Sequence, residues 1–568
     1  MVKLDGKKLE SILYFLIGVF VIIVANQLSA RLFYRFDLTE EKRYTISEAS
    51  KNILSNLEDA VFVDVYLEGD MPAGVKRLQK SVRETLDEFK IYAGANLQFR
   101  FINPSTAKGQ NARQEFYESL IKKGIQATNL YDNVDGKRTQ TLIFPGAILT
   151  YGTKELGVTF LKGNKSSSPQ EQLNQSIEGV EYELSSAIKS LTETGTKRIA
   201  LLKGHRELDT LQIAGLTSEL LTKYQVFHVD LTKKQNLLGY DAIVLAKPQE
   251  AFSEFDKYKI DQFIMRGGKA MFLIDALYAN MDSASREDNL ALPYETNLDD
   301  LFFKYGFRIN RDMVLDRNAA PYPVVVGNVG ENPQIQLLPW PFFPIVNEFS
   351  KHPTVRNSDA VLTRFMSTID TLKIDGIRKT PLMNSSQYSK VLSSPIKVSI
   401  NELKKEMNPD FFNAGRQTTA WVYEGAFTSF FKNRFLPGSV DKADFIADGK
   451  ENKILIVSDG DIARNDINPQ TGQPVELGFS QFTETRYANA DFLMNIMTYL
   501  LEEDGIINTR SKEIKIRPLD VVKLKDQRLT WQLVNLVLPI LMIVLFGILK
   551  FIIRKRRYAN FKTKNERN

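Results

Sequence analysis

Two long apolar runs lie near the two ends of the chain, at residues 12–25 and 531–553. A helix needs about 20 predominantly apolar residues to cross the hydrocarbon core of a bilayer. With its flanking leucines the first run reaches that length, so the pattern predicts transmembrane helices at residues 11–30 and 531–553. The alternatives are a cleaved signal peptide for the first run and a buried core helix for either run.

Between the two runs, residues 36–165 alternate between strand patterns and helix patterns. Strands are indicated by short or alternating apolar stretches, and helices by apolar residues spaced three and four apart. The predicted strands are residues 61–67, 97–102, 139–151 and 155–161, and the predicted helices are residues 75–89 and 110–123. The order β-α-β-α-β-β predicts a thioredoxin-like domain, followed by a connecting helix at residues 173–195. Because the chain has no Cys-x-x-Cys motif, a redox role is excluded and the domain is expected to be a scaffold.

Residues 197–505 continue the alternation and predict a doubly wound α/β domain, because strands that alternate with helices form parallel sheets. The predicted strands include residues 198–202, 226–229, 242–245, 270–274 and 453–457, and the predicted helices include residues 210–223, 255–266 and 490–501. Residues 318–353 contain seven prolines. Since proline donates no backbone hydrogen bond, this stretch is expected to be an irregular insertion.

The net charge of +6 on the 568 residues is concentrated at the ends of the chain. Residues 1–10 carry +1, residues 554–568 carry +6, and the rest of the chain carries −1. By the positive-inside rule, both tails are expected in the cytoplasm and the large body in the periplasm, beyond a bacterial inner membrane. The nearly neutral body argues against nucleic-acid binding, which needs a basic surface. Residues 512–530 are predicted to be a juxtamembrane segment.

Several catalytic classes are excluded by missing motifs. The chain has no cysteine, which excludes disulfides, thiolate metal sites and cysteine nucleophiles. Its three histidines, His205, His228 and His352, lack the spacing of zinc ligands. No phosphate-binding Gly-x4-Gly-Lys-Ser/Thr motif and no Gly-x-Ser-x-Gly motif is present. We therefore expect no catalytic residues, no metal and no cofactor, and ATP hydrolysis is expected of a partner.

Several stretches, taken together, resemble one family. They are residues 36–47, 66–89, 257–275, 337–344 and 457–461, with Gly204-His205-Arg206-Glu207 after a predicted strand. Over nearly its whole length the chain resembles the gliding-motility ABC-transporter auxiliary proteins of the Bacteroidetes, the GldG family. The resemblance implies an accessory or substrate-binding subunit that accompanies a separate membrane permease and a separate cytoplasmic ATPase. It also implies a flavodoxin-like or class I glutamine-amidotransferase-like second domain.

Six polar residues that follow predicted strands are candidates for ligand binding, because ligands of open α/β sheets bind at the carboxyl ends of the strands. The candidates are His205, Arg206, Glu207, Asp275, Asp459 and Asp461. The family pattern leads us to expect a small residue in place of Arg206. An aspartate pair can hold a divalent cation or orient a sugar hydroxyl. The alternative is that all six are ordinary loop and turn residues.

A second set of residues is a candidate for contacts with partners or with the membrane. These are Trp340, Phe342 and Phe343 in the proline-rich stretch, Trp531 and Pro539 in the second apolar run, and Arg554, Arg556 and Arg557 after it. The first three form either an exposed aromatic surface or a cover for the edge of the sheet. The tryptophan of the second run is a predicted interfacial anchor and its proline a predicted kink. The arginines are a topology signal beside anionic headgroups, or contact a cytoplasmic subunit.

These patterns and the resemblance predict a non-catalytic, membrane-anchored accessory subunit of an ABC transport complex, with a substrate-binding role in gliding motility or export. Its expected partners are the permease, the ATPase and membrane lipid, and its ligand is unknown. The alternative is a stand-alone periplasmic scaffold that binds carbohydrate or peptide.

Overall fold

A computed structural model of the chain describes residues 6–31, 45–69, 71–106, 109–134, 137–162, 168–193, 195–279, 289–329, 332–400, 408–437, 442–502, 505–511 and 527–562. Most of the predicted juxtamembrane segment and the outer parts of both tails lie outside the described residues. The chain divides into two units, Met1–Glu513 and Ile514–Asn568.

The described α-helices are α1 (Gly6–Arg31), α2 (Glu48–Ser55), α3 (Ala73–Ala93), α4 (Gln110–Lys122), α5 (Pro169–Thr192), α6 (Ala214–Leu221), α7 (Glu254–Met265), α8 (Asp299–Tyr305), α9 (Asn489–Leu501) and α10 (Arg528–Lys562). The described strands of the N-terminal part are β1 (Val61–Val65), β2 (Leu97–Phe101), β3 (Thr128–Val134), β4 (Lys137–Ile143), β5 (Gly146–Tyr151) and β6 (Lys154–Thr159). Those that follow are β7 (Arg198–Lys203), β8 (Gln225–Asp230), β9 (Ala242–Ala246), β10 (Lys269–Leu273), β11 (Leu277–Tyr278), β12 (Leu290–Pro293), β13 (Phe307–Ile309), β14 (Asp312–Asp316), β15 (Ala319–Val329), β16 (Asn332–Val346), β17 (Glu348–Phe349), β18 (Val361–Leu362), β19 (Ile369–Thr371), β20 (Arg378–Asn384), β21 (Ser389–Ser393), β22 (Ile396–Lys397), β23 (Thr418–Thr428), β24 (Asp448–Val457), β25 (Phe479–Ser480) and β26 (Thr485–Arg486).

The N-terminal sheet has the strand order β2-β1-β5-β6, in which β1 and β2 are parallel and the other pairs are antiparallel. Helix α3 buries one apolar face against it, including Val82 and Leu86. The single strand predicted at residues 139–151 is wrong. The structure has two strands there, β4 and β5, because Pro145 interrupts the ladder. Strand β4 pairs with β3 in a separate hairpin.

Helix α5 joins the N-terminal sheet to the rest of the first unit. Ser168 caps its first turn, where the Ser168 side chain accepts a hydrogen bond from the Glu171 backbone N–H. Leu184 and Ile188 pack into the N-terminal core. Tyr182, which points to the opposite side of the same helix, packs into the core of the second sheet. The helix is therefore buried from both sides.

The second sheet has the order β17-β20-β23-β24-β10-β9-β7-β8. The strands from β8 to β24 are parallel, and β23, β20 and β17 are antiparallel to their neighbours. Side chains alternate between its two faces. Leu201 packs in the core that contains α6 and α9, whereas Leu202 packs in the core that contains α7 and α8.

The expectation of a parallel sheet is therefore correct for five strands and wrong for the other three. A parallel connection needs a crossover, usually a helix. No α-helix lies in the described residues that link β20, β23 and β24, so the chain reverses direction there.

The proline-rich stretch is not irregular, and that expectation is wrong. Strands β15 and β16 form a long antiparallel ribbon. Pro321 pairs directly with Pro339, and Pro323 lies two residues after Pro321, so all three share one backbone orientation. Proline is tolerated in a strand where its nitrogen faces away from the partner, and this shared orientation meets that condition.

The second unit contains helix α10. Of the helices described, its segment Arg528–Arg557 is long and apolar enough to cross a membrane, and an 18-residue window within it has a mean hydropathy of 2.9. It contains Pro539. In α1 the described apolar segment, Leu13–Val24, is shorter than a span, and the first predicted span stays a prediction.

Candidate functional site

The carboxyl ends of the parallel strands carry a buried group of charged side chains. Lys247 directly follows β9, Asp275 lies two residues after β10, and Asp459 and Asp461 follow β24. Neighbouring parallel strands end at the same edge of a sheet, so these residues are brought together although they are far apart in sequence. All four are buried.

Lys247 lies between two of the carboxylates. Its Nζ is 2.6 Å from Asp461 Oδ2 and 2.8 Å from Asp275 Oδ2. The lysine has a φ of 53°, a left-handed conformation that costs free energy for a residue with a side chain. The chain holds this conformation through a hydrogen bond from the Lys247 backbone N–H to the Leu273 carbonyl oxygen at 2.8 Å. The backbone of Lys247 is therefore fixed against the next strand, β10, and its ammonium group is held by the two carboxylates.

Asp275 also accepts a hydrogen bond from the Gly460 backbone N–H. A Cβ at Gly460 would lie 2.6 Å from the Lys247 Cβ, so only glycine fits this approach. Burial raises the pKa of Asp275 to about 6, although the Lys247 charge opposes this shift. Asp275 is thus held tightly in a place that disfavours its charged form.

The other two aspartates have opposite electrostatic environments. Burial, together with the charges of Asp275 and Asp461, raises the pKa of Asp459 well above its usual value. Asp459 nevertheless accepts hydrogen bonds from the backbone N–H groups of Arg364 at 2.8 Å and Ile462 at 3.1 Å. Burial also acts to raise the pKa of Asp461, but Lys247 and Arg464 outweigh it, so this pKa is lowered. Of Asp459 and Asp461, Asp461 is therefore the carboxylate whose charged form is favoured.

A second ion pair closes the group from outside. The guanidinium of Arg364 donates two hydrogen bonds to the carboxylate of Asp466, at 2.8 and 2.7 Å. A cavity of about 10 Å³ remains beside Arg364, Asp461 and Asp466. That volume is about the minimum for one water molecule. This cavity among the described residues has no room for an organic ligand.

The three aspartates also have the spacing of a cation site. One oxygen from each of Asp275, Asp459 and Asp461 lies within 4.8 Å of the others. Carboxylate oxygens are suitable ligands for a hard divalent cation. The ammonium of Lys247, however, already lies against two of these three groups and supplies the positive charge that a metal would bring.

His205 lies in a separate buried site after β7. Its ring stacks on Phe252 with 3.6 Å between centroids, and its nitrogens lie 3.5 Å from Glu207 Oε1 and 3.4 Å from Asp256 Oδ2. Burial opposes the ionisation of Asp256, but hydrogen bonds from Lys259 and Ser253 outweigh it and lower the pKa of Asp256. The imidazole is therefore enclosed by an aromatic ring and two carboxyl groups.

The structure divides the six candidates for ligand binding into three sets. Asp275, Asp459 and Asp461 meet, His205 and Glu207 lie together in the neighbouring loop, and Arg206 is exposed and lies 3.8 Å from Glu250. Whether any of them binds a ligand stays a prediction.

Sequence reasoning missed Lys247, Asp256, Arg364, Arg464 and Asp466. The position of Lys247, two residues after the predicted strand at residues 242–245, was a usable signal for it. Arg364 and Asp466 lie in no predicted element, and no sequence signal places them at the site.

Among the partner candidates, the aromatic residues of the proline-rich stretch are buried and do not form an exposed surface. Trp340 is 1% exposed and packs with Phe343 and Phe365. Phe342 belongs to the same cluster. In α10 the candidates Trp531, Arg554, Arg556 and Arg557 are exposed.

Two larger cavities lie away from the charged group. One of about 330 Å³ lies between the first turns of α5, at Glu171 and Gln175, and the segment 347–358. Another of about 530 Å³ is lined by Phe303, Arg311 and Arg434 among others. Small-molecule sites are typically of this size, so space for a ligand lies at these cavities rather than at the aspartate group.

Comparison with known proteins gives matches to both parts of the body. A family model described as an ABC-type uncharacterized transport system matches residues 196–496, more than half of the chain. A model described as a domain of unknown function matches residues 40–150. An uncharacterized protein of Borreliella burgdorferi is 21% identical over 541 residues, covering 93% of this chain and 94% of the relative. The solved mmIFT52 N-terminal domain is 11% identical, with a TM-score of 0.30, and the match covers 54% of this chain and 99% of that chain.

Proposed function

The chain belongs to the ABC-type uncharacterized transport system family, and from this premise we propose that it is a non-catalytic, membrane-anchored accessory subunit of an ABC transport complex. Membership of the family implies association with an ABC transporter. The chain has no phosphate-binding loop of an ATPase. ATP hydrolysis is therefore the work of a separate cytoplasmic subunit, and passage through the membrane that of a separate permease.

The charged edge of the second sheet supports a non-catalytic role. An active site needs a nucleophile or a general base within reach of a substrate. Here Lys247, Asp275 and Asp461 are paired with one another, and the adjoining cavity is about 10 Å³. Residues used in this way stabilise the loops and do not present reactive groups to a substrate.

The strand orders support a thioredoxin-like fold for the N-terminal sheet and a flavodoxin-like fold for the second sheet. The order β2-β1-β5-β6 is the one expected of a thioredoxin-like domain. The parallel strands β8-β7-β9-β10-β24 follow the order 2-1-3-4-5 of flavodoxin-like sheets. We propose these two folds as rigid scaffolds for the surfaces that contact substrate and partners.

The apolar and basic segments support a topology with two spans. In this proposal α1 and α10 both cross the inner membrane, both termini are cytoplasmic and the body is periplasmic, because basic residues flank the apolar runs on the outer sides. The resemblance in sequence supports a role in gliding motility, with the body binding the material that the complex exports.

Co-purification tests the subunit assignment. The full-length chain, tagged and expressed at its native level, is extracted in mild detergent and its companions are identified by mass spectrometry. We expect an ABC permease and an ABC ATPase to co-purify in fixed proportion, and an unrelated tagged membrane protein to recover neither. Recovery of this chain without them would favour the stand-alone carbohydrate- or peptide-binding scaffold.

Cysteine labelling tests the topology, since the native chain contains no cysteine. Lys233 lies in the body and is exposed, whereas Lys555 lies in the basic tail. A membrane-impermeant maleimide should label Lys233→Cys in spheroplasts but Lys555→Cys only after lysis. Labelling of both, or of the tail alone, before lysis would contradict the orientation.

A further inference from the structure

Asp459 is a completely buried carboxyl group without a cation beside it. Its relative exposure is 0%, and none of the ion pairs found among the described residues at this edge includes it. The hydrogen bonds that it accepts in the described part of the chain come from backbone N–H groups, those of Arg364 and Ile462. Asp459 is therefore tied to two segments of the chain but is not paired with a positive charge.

The charged groups that surround Asp459 balance one another without it. They come from the ends of β9 and β10, from the loop before β19 and from the loop after β24, and they are Lys247, Arg364 and Arg464 with Asp275, Asp461 and Asp466. Tyr294 also lies near Lys247, and burial raises the pKa of this tyrosine, so it adds no charge at neutral pH. Three positive and three negative charges cancel, and an ionised Asp459 would add a charge that nothing compensates.

Like charges make such an ionised Asp459 still less favourable. One oxygen from each of Asp275, Asp459 and Asp461 lies within 4.8 Å of the others. An isolated charge in a protein interior is so costly that the group takes up a proton instead. The raised pKa of Asp459, caused by burial and by the two neighbouring carboxylates, agrees with this count of charges. Asp459 therefore carries a proton at neutral pH.

The two backbone hydrogen bonds of Asp459 join distant parts of the chain. Arg364 lies 95 positions away in sequence, and Ile462 belongs to the short 3-10 helix Asp461–Ala463, which we call the edge turn. The adjoining cavity of about 10 Å³ has space for about one water molecule, which is too little to hydrate a carboxylate. An ionised Asp459 can therefore gain hydration only if the edge turn moves away from the sheet.

We propose that Asp459 is a proton-operated latch of this sheet edge: with its proton it holds the edge turn closed, and without its proton the turn opens to water. A hydrated aspartate has a pKa of about 3.9, so opening releases the proton. The opening equilibrium should then rise about tenfold per pH unit between that value and the higher pKa of the closed state. The latch is thus most stable at low pH. Opening exposes Lys247 and Asp461 at the edge where α/β sheets bind ligands.

Thiol labelling in the edge turn tests the latch. Ala463→Cys places a thiol at a buried position of a chain that has no other cysteine, and a maleimide reaches it only when the turn opens. Lys233→Cys, at an exposed position, is the reference that corrects the rate for the ionisation of the thiol itself. In the full-length chain in detergent, the corrected rate should rise at least about tenfold between about pH 6.5 and about pH 8.

Adding Asp459→Asn to Ala463→Cys should abolish this rise, because an asparagine keeps the shape of the acid and cannot ionise. Asp316→Asn is the matched control. Asp316 is also buried, and burial also raises its pKa, but it bonds to Ser386 and should leave the rise unchanged.

Two results would overturn the proposal. One is a corrected rate for Ala463→Cys that does not depend on pH, and the other is a rise that persists with Asp459→Asn. The first needs only the single variant, so it decides the matter even if the double variant does not fold. Because the readout is local to the edge turn, it can fail while the permease and the ATPase still co-purify.

Discussion

Replacing Lys247 with methionine removes the positive charge between two buried carboxylates and keeps most of the volume of the side chain. The native Nζ lies 2.6 Å from Asp461 and 2.8 Å from Asp275, and both aspartates are almost completely buried. Removing one partner of a buried ion pair leaves an uncompensated charge and costs about 3–5 kcal/mol. We expect a loss in the middle of that range, about 4 kcal/mol, because Arg464 still lies near Asp461.

Urea unfolding of the full-length chain in detergent measures this loss. Two of the three tryptophans, Trp340 and Trp421, lie in the second α/β domain, residues 197–505. Their fluorescence therefore follows the unfolding of this domain. With a slope of ~3 kcal/mol per molar urea, a loss of ~4 kcal/mol lowers the midpoint by roughly 1.3 M. The matched control is Lys233→Met. It removes the same charge from an exposed pair, 2.7 Å from Asp230, and should leave the midpoint unchanged.

A shift of less than about 0.3 M for Lys247→Met would refute the argument, because it would mean that water or another cation already neutralises the two carboxylates. The triple variant Lys247→Met, Asp275→Asn, Asp461→Asn provides a second check. Replacing all charged partners of a buried pair is often nearly neutral. The triple variant should therefore recover most of the stability that the single variant loses, whereas simple additivity would predict a further loss.

Three further predictions concern the same domain. Because the pKa of Asp275 is raised to about 6, the folded state holds its proton more tightly than the unfolded chain, and this contribution to stability is lost as the pH rises from about 4 to about 6. The melting temperature of Asp275→Asn, relative to the native chain, should therefore increase over that range, and a constant difference would contradict this. EDTA should leave the melting temperature of the native chain unchanged, because Lys247 supplies the charge that a cation would bring; a fall of several degrees would show a bound metal. Trp340→Ala should destabilise the second domain by about 3–5 kcal/mol, because it empties a buried aromatic cluster. Phe435→Ala, at a fully exposed ring, should not change the urea midpoint, and equal effects of the two variants would be inconsistent with the packing.

The sequence predicted the fold well where one periodic pattern corresponds to one element. The helical spacing from Val75 to Phe89 lies within α3, and the apolar stretches at residues 198–202 and 453–457 lie within β7 and β24. The prediction failed in the proline-rich stretch, where proline content alone was used and the register of the strands was not known. Seven prolines indicated an irregular insertion, but the structure has a paired ribbon because three of them share an orientation that costs no ladder hydrogen bond.

The candidate site was predicted only in part, for a physical reason. A polar residue after a strand is visible in the sequence, and the carboxyl ends of parallel strands meet at one edge. This was enough to select Asp275, Asp459 and Asp461. What neutralises them was not visible, because Lys247 and Asp461 are 214 positions apart and Arg364 comes from a loop outside every predicted element.

The sequence by itself determined the alternation of strands and helices, the apolar run that becomes α10, and the absence of an ATPase phosphate-binding loop, because these depend on local spacing and residue type. Only the tertiary structure decided that the aspartate group is paired with a lysine. It also decided that the aromatic rings of the ribbon lie inside and that a row of proline and aliphatic side chains lies outside. These outcomes depend on strand order and register, and in a strand a shift of one residue exchanges the buried face for the exposed one.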